Sequence, residues 1–163
     1  MMQNKPNMSW WKQIYLGLVK GENFLGSFFL LIIRLYWGGL LIMTGIGKWT
    51  NIYEVADFFA SLNIPLPLFS AYFVGGVEFF GGISLFVGLF SRLFTILLTI
   101  VFAVAYATAH EEALVQFFST PSLFIEQSPF LFLYTTLVVL CFGPGFISFD
   151  YWLERKAFGR GLR

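Results

Sequence analysis

An apolar run from Phe69 to Phe90, FSAYFVGGVEFFGGISLFVGLF, holds one ionisable residue, Glu78, and five glycines. As a helix rising about 1.5 Å per residue it measures about 33 Å, close to the hydrocarbon thickness of a bilayer. The run therefore predicts a transmembrane helix, and that prediction governs how every other charge in the chain is read. A carboxylate deep in lipid is costly unless it faces protein or a cavity, so Glu78 needs a partner and is a candidate functional residue. Steps of four and three along its helical face give Ala71, Gly75, Glu78, Gly82, Leu85 and Leu89, placing glycines on either side of the acid. Another helix can pack closely on such a face.

The rest of the composition agrees. Of 163 residues, 58% are hydrophobic, 12% are charged and 22 are phenylalanine, outside the range of soluble globular chains. One polytopic membrane domain is expected. The net charge of +1, with no basic patch beyond short flanks of the spans, excludes a nucleic-acid partner. Cys141 is the only cysteine, so no intramolecular disulfide and no C-x-x-C exchange site exists, and a small buried hydrophobe is the plain reading of it.

Residues 1–8 are polar. From Ser9, a helix cap, SWWKQIYLGLVKGEN is too short and too charged to span; with Trp11, Ile14 or Tyr15, and Leu18 on one face it suits an amphipathic interfacial helix and equally a cytosolic helix packed on the domain. Lysines precede an apolar run here, but its length and the lack of an A-x-A site argue against a cleaved signal. The first span is 24–47, interrupted only by Arg34, whose stripe is Arg34, Gly38, Leu41, Gly45 and Lys48. TGIGK lacks the Ser or Thr and the upstream glycine spacing of a phosphate loop. In the loop 48–68, YEVADFFASL suits a short amphipathic helix ended by Pro65 and Pro67. The second span, 69–90, and the third, 93–109, form a tight antiparallel hairpin across Ser91 and Arg92.

The third span carries Thr95, Thr99, Ala103, Tyr106 and then His110 on one face. Residues 111–128 open with Glu111 and Glu112, yet Phe117, Phe118, Leu123, Phe124 and Ile125 are too apolar for a free loop. They are expected to fold back onto the membrane surface. Ser128 and Pro129 start a fourth span, 128–146, as cap and first helical residue. Its strictly apolar core is short for a bilayer. Ser148 caps a basic C-terminal segment, 148–163. The predicted fold is an all-α, four-helix membrane bundle, residues 24–147, between an N-terminal segment, 1–23, and this tail. Eight of the ten Lys and Arg residues (Lys5, Lys12, Lys20, Arg92, Arg155, Lys156, Arg160, Arg163) fall on one side and Lys48 alone on the other. The positive-inside rule then puts both termini in the cytoplasm.

Depth arithmetic brings Arg34 and Glu78 together. They lie about 15 and 18 Å from the expected cytoplasmic ends of their spans, on glycine-flanked stripes, so a buried Arg34–Glu78 ion pair is predicted, with Gly38, Gly45, Gly75 and Gly82 as packing glycines. Such a pair also serves simply to lock two helices. A second cluster, Lys48, Tyr106 and His110, falls at the outer mouth and is a candidate ligand or proton site. The same histidine equally suits a solvated or capping role. A lone histidine excludes bis-His haem ligation, and no metal site is expected without Glu111 and Glu112 as further ligands.

Several of these pieces together resemble the DoxX family of small bacterial membrane proteins. They are the arginine of LIIRLYWGG, GIGKW with Gly45, Gly47 and Lys48, and FFASLNIPLPL. To these add GGVEFFGGISLFVGLFSR with Gly75, Glu78, Gly81, Gly82, Gly88 and Arg92, and GPGFISFD with Gly143, Gly145, Ser148 and Asp150. His110 resembles a family histidine at the end of the third helix, but HEEALVQFF departs from the Gly-rich, Asn-containing stretch usual after it. The resemblance implies a four-helix inner-membrane protein with relatives in quinone-linked sulfur or thiol oxidation, catechol or quinone stress and oxidant resistance.

Two functions compete. In one, the bundle binds a membrane quinone and serves as a membrane subunit of an oxidoreductase or stress-response complex, receiving electrons from a redox partner subunit; Tyr36, Tyr72, Tyr106 and Tyr134 would line the pocket. In the other it is a non-catalytic anchor, assembly factor or lipid-binding module. Transport would require a homo-oligomer, since four helices leave little room for a pathway. In each case the bilayer is a partner.

Overall fold

The computed structural model describes residues 10–158. The polar start at 1–8, the cap at Ser9, the side-chain face of Trp11 to Leu18, and Arg160 and Arg163 lie outside what it describes. Eight helices follow in order: α1 (Trp10–Thr50), α2 (Ile52–Ser61), α3 (Pro67–Val87), α4 (Ser91–Ala109), α5 (Glu111–Val115), α6 (Pro121–Ile125), α7 (Pro129–Phe142) and α8 (Phe149–Phe158). No strand occurs among the described residues.

The N-terminal helix and the first span, expected as separate elements, are one 41-residue helix. Between Trp10 and Thr50 there is no proline, and a helical glycine such as Gly21 costs only about 1 kcal/mol, so nothing stops the helix at residue 23. Helix α3 stops at Val87, earlier than expected, because Gly88 takes a left-handed conformation at φ 78° and closes the helix with a hydrogen bond from its amide to the Ser84 carbonyl. Phe90 repeats the left-handed turn at φ 52°, and α4 leaves in the opposite direction.

Phe24–Thr50, Pro67–Val87 and Ser91–Ala109 are each long and apolar enough to cross a membrane. Helix α7, at 14 residues, is about 21 Å long. It completes a four-helix bundle in which α1 packs on α3, α3 on α4, α4 on α7 and α7 on α1. The core draws on all four: Leu41 from α1, Val77 and Leu85 from α3, Leu98 and Phe102 from α4, and Val139 from α7. Around it a belt of exposed side chains, including Met43, Phe73, Phe80, Ile100 and Leu137, faces lipid. The polar face of α4 is turned inward against α7, where Thr99 donates to the Thr95 carbonyl and meets Thr136 Oγ1 at 3.2 Å.

The tightest seam is α1 against α3. A Cβ on Gly38 would lie 2.9 Å from Gly82 O, and one on Gly82 would lie 2.8 Å from Gly38 O; a Cβ on Gly45 would lie 2.8 Å from Gly75 O. The four packing glycines expected from the sequence thus let two backbones touch, and they set an antiparallel register: Gly38 against Gly82, Gly45 against Gly75. Gly75 also makes room for Trp49, whose indole would meet a Cβ there at 2.8 Å. Helix α2 lies across the start of α3 through Ile52, Ala56 and Ala71.

Candidate functional site

The predicted Arg34–Glu78 pair does not form. The glycine register places Arg34 opposite Phe86, eight residues and about 12 Å along α3 from Glu78. The depth estimate failed because it counted from span ends at 24 and 90 that are not helix ends. Side-chain direction adds to the separation. Helical side chains lean toward the N-terminus of their own helix. On antiparallel helices, Arg34 and Glu78 therefore lean away from each other, whereas Lys48 and Glu78 lean together.

Lys48 Nζ donates to Glu78 Oε2 at 2.6 Å, the one ion pair among the described residues, with the Lys48 side chain 25% exposed and that of Glu78 6%. Its flexible stem reaches inward from the end of α1. Beside it Trp49 Nε1 donates to the Tyr72 carbonyl at 3.3 Å, and the Trp49 ring packs 5.2 Å from that of Phe79.

Arg34, 1% exposed, lies at the opposite end of the seam. Its Nε donates to Leu85 O at 2.8 Å, and Nη1 donates to Ile147 O at 3.0 Å and to Pro144 O. Leu85 is in the last turn of α3, where carbonyls have no helical partner and carry the negative end of the helix dipole. Pro144 and Ile147 are in the turn after α7. The guanidinium is thus satisfied by backbone carbonyls and ties α1, α3 and the segment after α7 together. Gly88 is glycine for a second reason here, since a Cβ would overlap the guanidinium.

Asp150 completes this end without bonding Arg34. Its Oδ1 accepts from Phe90 N at 2.8 Å and its Oδ2 from Ser91 N at 2.9 Å, capping α4, while its own amide donates to Gly88 O at 2.8 Å. Ser148 caps α8 through Tyr151 N, as expected from the sequence. Ser128 makes no such cap on α7.

A cavity of about 580 Å³ opens at this end. Its lining includes Leu31, Arg34, Phe86, Phe146, Phe149 and Trp152. Among the described residues Arg34 Nη2 has no hydrogen-bond acceptor.

Lys48, Tyr106 and His110 do not converge. Lys48 is spent on Glu78. Tyr106, fully buried, donates its hydroxyl to Phe124 O at 2.8 Å, and its ring lies 5.8 Å from that of His110. His110 is the hinge between α4 and α5: its amide donates to Tyr106 O and its carbonyl accepts from Ala113 and Leu114. The separation follows from the order of the bundle, in which α1 packs on α3 and α7, and α4 on the other side of both. Of the tyrosines expected to line a pocket, Tyr36, Tyr72 and Tyr134 are instead exposed on the lipid-facing surface. Cys141, expected to be buried, is exposed there too. Among the described residues no three His, Cys, Asp or Glu side chains gather as a metal site would need.

The fold and these two sites define a multi-pass, helical membrane protein with one internal ion pair and one carbonyl-bound arginine. The DoxX family model matches residues 29–111, and the chain belongs to the DoxX family. That match covers both glycine stripes, Arg34, Lys48 and Glu78. No curated protein and no solved structure matches the chain.

Proposed function

We propose that this chain is a membrane-embedded, quinone-holding subunit of an oxidoreductase or oxidant and thiol stress-response complex, with the quinone ring in the Arg34 cavity. The observation that carries the proposal is a buried guanidinium that lines an apolar, aromatic-walled cavity and whose Nη2 has no acceptor among the described residues. The volume is in the range of small-ligand sites, and the pattern of apolar walls with one fixed polar donor suits a planar ring bearing carbonyl oxygens. Phe86, Phe146, Phe149 and Trp152 offer faces for such a ring, and the opening would let an apolar tail remain in lipid. A bound quinone would supply the electron-accepting chemistry. The chain would supply a donor to one carbonyl oxygen and a fixed cation that favours negative charge on it. Electrons would come from a partner subunit.

A test extracts the purified protein for quinone by mass spectrometry. Arg34→Gln removes the donor, and Val87→Trp fills the cavity wall while leaving the hydrogen bonds of Arg34 in place. Co-purifying quinone should fall by roughly tenfold in both variants, with Val87→Trp unchanged in thermal stability. Quinone at wild-type levels in Val87→Trp, or none in the wild type, defeats the proposal. The second outcome would favour a non-catalytic anchor, which the internal satisfaction of Glu78 by Lys48 also suits.

A further inference from the structure

Residues 111–128 follow the end of α4 with seven phenylalanine or branched apolar side chains that the bundle core does not use. Helix α5 and the turn after it leave Val115 77% and Phe118 94% exposed, and Ile125 on α6 is exposed as well. Exposure of this degree in an aqueous segment would be costly at about 25 cal/mol per Å² of apolar surface. The segment is nevertheless fixed in place. Tyr106, one turn inside the end of α4, donates to Phe124 O, and the two rings stack with centroids 4.3 Å apart at 18°. Phe124 in turn meets Phe117 edge-on at 5.0 Å and Phe130 at 5.8 Å.

These contacts fix the depth. Phe102 of α4 stacks on Phe132 of α7 at 5.5 Å, so Pro129, three residues earlier, stands about one turn farther out, level with Tyr106. Helix α7 therefore begins inside the level at which α4 ends. Its length of about 21 Å falls short of the roughly 30 Å of hydrocarbon, and α6 sits over its start. At that depth the exposed side chains would meet the boundary between headgroups and acyl chains; Glu111 and Glu112, at the start of α5, are exposed as well. Continuity with the lipid-facing belt of α4 and α7 selects lipid as the occupant over a protein partner.

We propose that residues 111–128 form a leaflet-docking cap at the Lys48 end of the bundle. Val115, Phe118 and Ile125 enter the acyl-chain boundary of the adjoining leaflet, and Tyr106 is the positioning residue that sets their depth. The cap is independent of the Arg34 cavity and of any ligand there.

The test uses the full chain with Cys141→Ser, carrying either Phe118→Cys or Glu111→Cys, labelled with bimane and placed in nanodiscs of phosphatidylcholine. Lipids brominated near the headgroup end of the acyl chain should quench the label at position 118 several-fold more than the label at position 111. A charged maleimide should modify the unlabelled thiol of the Phe118→Cys variant at least tenfold more slowly than that of the Glu111→Cys variant. Adding Tyr106→Phe, which removes the bond to Phe124 but keeps the ring, should narrow both differences. Equal quenching at the two positions overturns the proposal. Slow modification at position 118 without quenching also overturns it, because protein and not lipid would then cover the site.

Discussion

The two ends of the α1–α3 seam solve one problem in opposite ways. At one end a buried carboxylate, Glu78, is met by a flexible cation that reaches it from the helix terminus. At the other a buried cation, Arg34, is met by no carboxylate among the described residues; backbone carbonyls take its place. Nearby Asp150 is committed to two α4 amides. An ion pair can be deleted as a pair, and its removal leaves helices that still pack. Backbone carbonyls cannot be deleted, so an apolar residue in place of Arg34 leaves Leu85, Pro144 and Ile147 without their donor. The difference predicts that the Lys48 end is an adjustable contact and the Arg34 end is a structural knot, with Nη2 the one guanidinium nitrogen that meets no acceptor among the described residues.

The largest expected effect follows from that knot. Arg34→Leu orphans three acceptors, each worth about 1–3 kcal/mol when buried without a donor, for a loss of several kcal/mol. Thermal unfolding in detergent should show Arg34→Leu well below Glu78→Leu, or yield no folded protein while Glu78→Leu still does. Arg34→Lys, which keeps the charge but loses the planar fork, should recover only part of the loss. If the leucine variant melts with the wild type, the carbonyl knot is not what holds this end together.

A smaller and reversible effect is expected at Lys48 and Glu78. Breaking a fully buried pair by removing one partner costs about 3–5 kcal/mol, and the quarter exposure of the Lys48 side chain lowers the expectation to about 1–3 kcal/mol. Lys48→Met and Glu78→Leu should each lower the melting temperature, and the double variant should lie above their sum, with a coupling of about 0.5–3 kcal/mol. Additive losses would mean that the 2.6 Å contact contributes little. The corresponding cycle with Arg34 and Glu78 should show no coupling, which distinguishes the observed pairing from the one the sequence predicts.

Much of this was legible before the structure. The glycine stripes, the hairpin turn, the α2 helix and the Ser148 cap were readable because each depends on residues near one another in the chain. The partners of Glu78 and Arg34 were not, because partner choice depends on register and lean across two helices. Yet the signal was present: matching Gly38 to Gly82 and Gly45 to Gly75 fixes the register, and antiparallel lean then excludes Arg34 from Glu78 and brings in Lys48. Pairing by distance from assumed span ends discarded that information. Pro144 and Ile147 act through carbonyls that no side-chain pattern announces. The continuous α1 was missed because a change from charged to apolar composition was read as a helix boundary, although no residue there breaks a helix.

The smallest expected effect separates glycines that carry the register from those that do not. Gly38 and Gly39 are neighbours on α1, yet a Cβ on Gly38 would lie 2.9 Å from both Gly82 O and Phe86 N, while one on Gly39 would meet nothing within 4 Å. Backbone atoms cannot turn aside as a side-chain tip can, so Gly38→Ala must push α1 from α3 beside Arg34 and lengthen its bond to Leu85 O. Gly39→Ala adds only a methyl toward open space and removes the backbone freedom of a glycine, which favours the helix by about 0.5–1 kcal/mol. Thermal unfolding in detergent should therefore place Gly39→Ala at or slightly above the wild type and Gly38→Ala below it. Equal melting temperatures for the two variants would show that the seam yields to a methyl group, and the register that assigns Lys48 to Glu78 and the carbonyls to Arg34 would lose its physical basis.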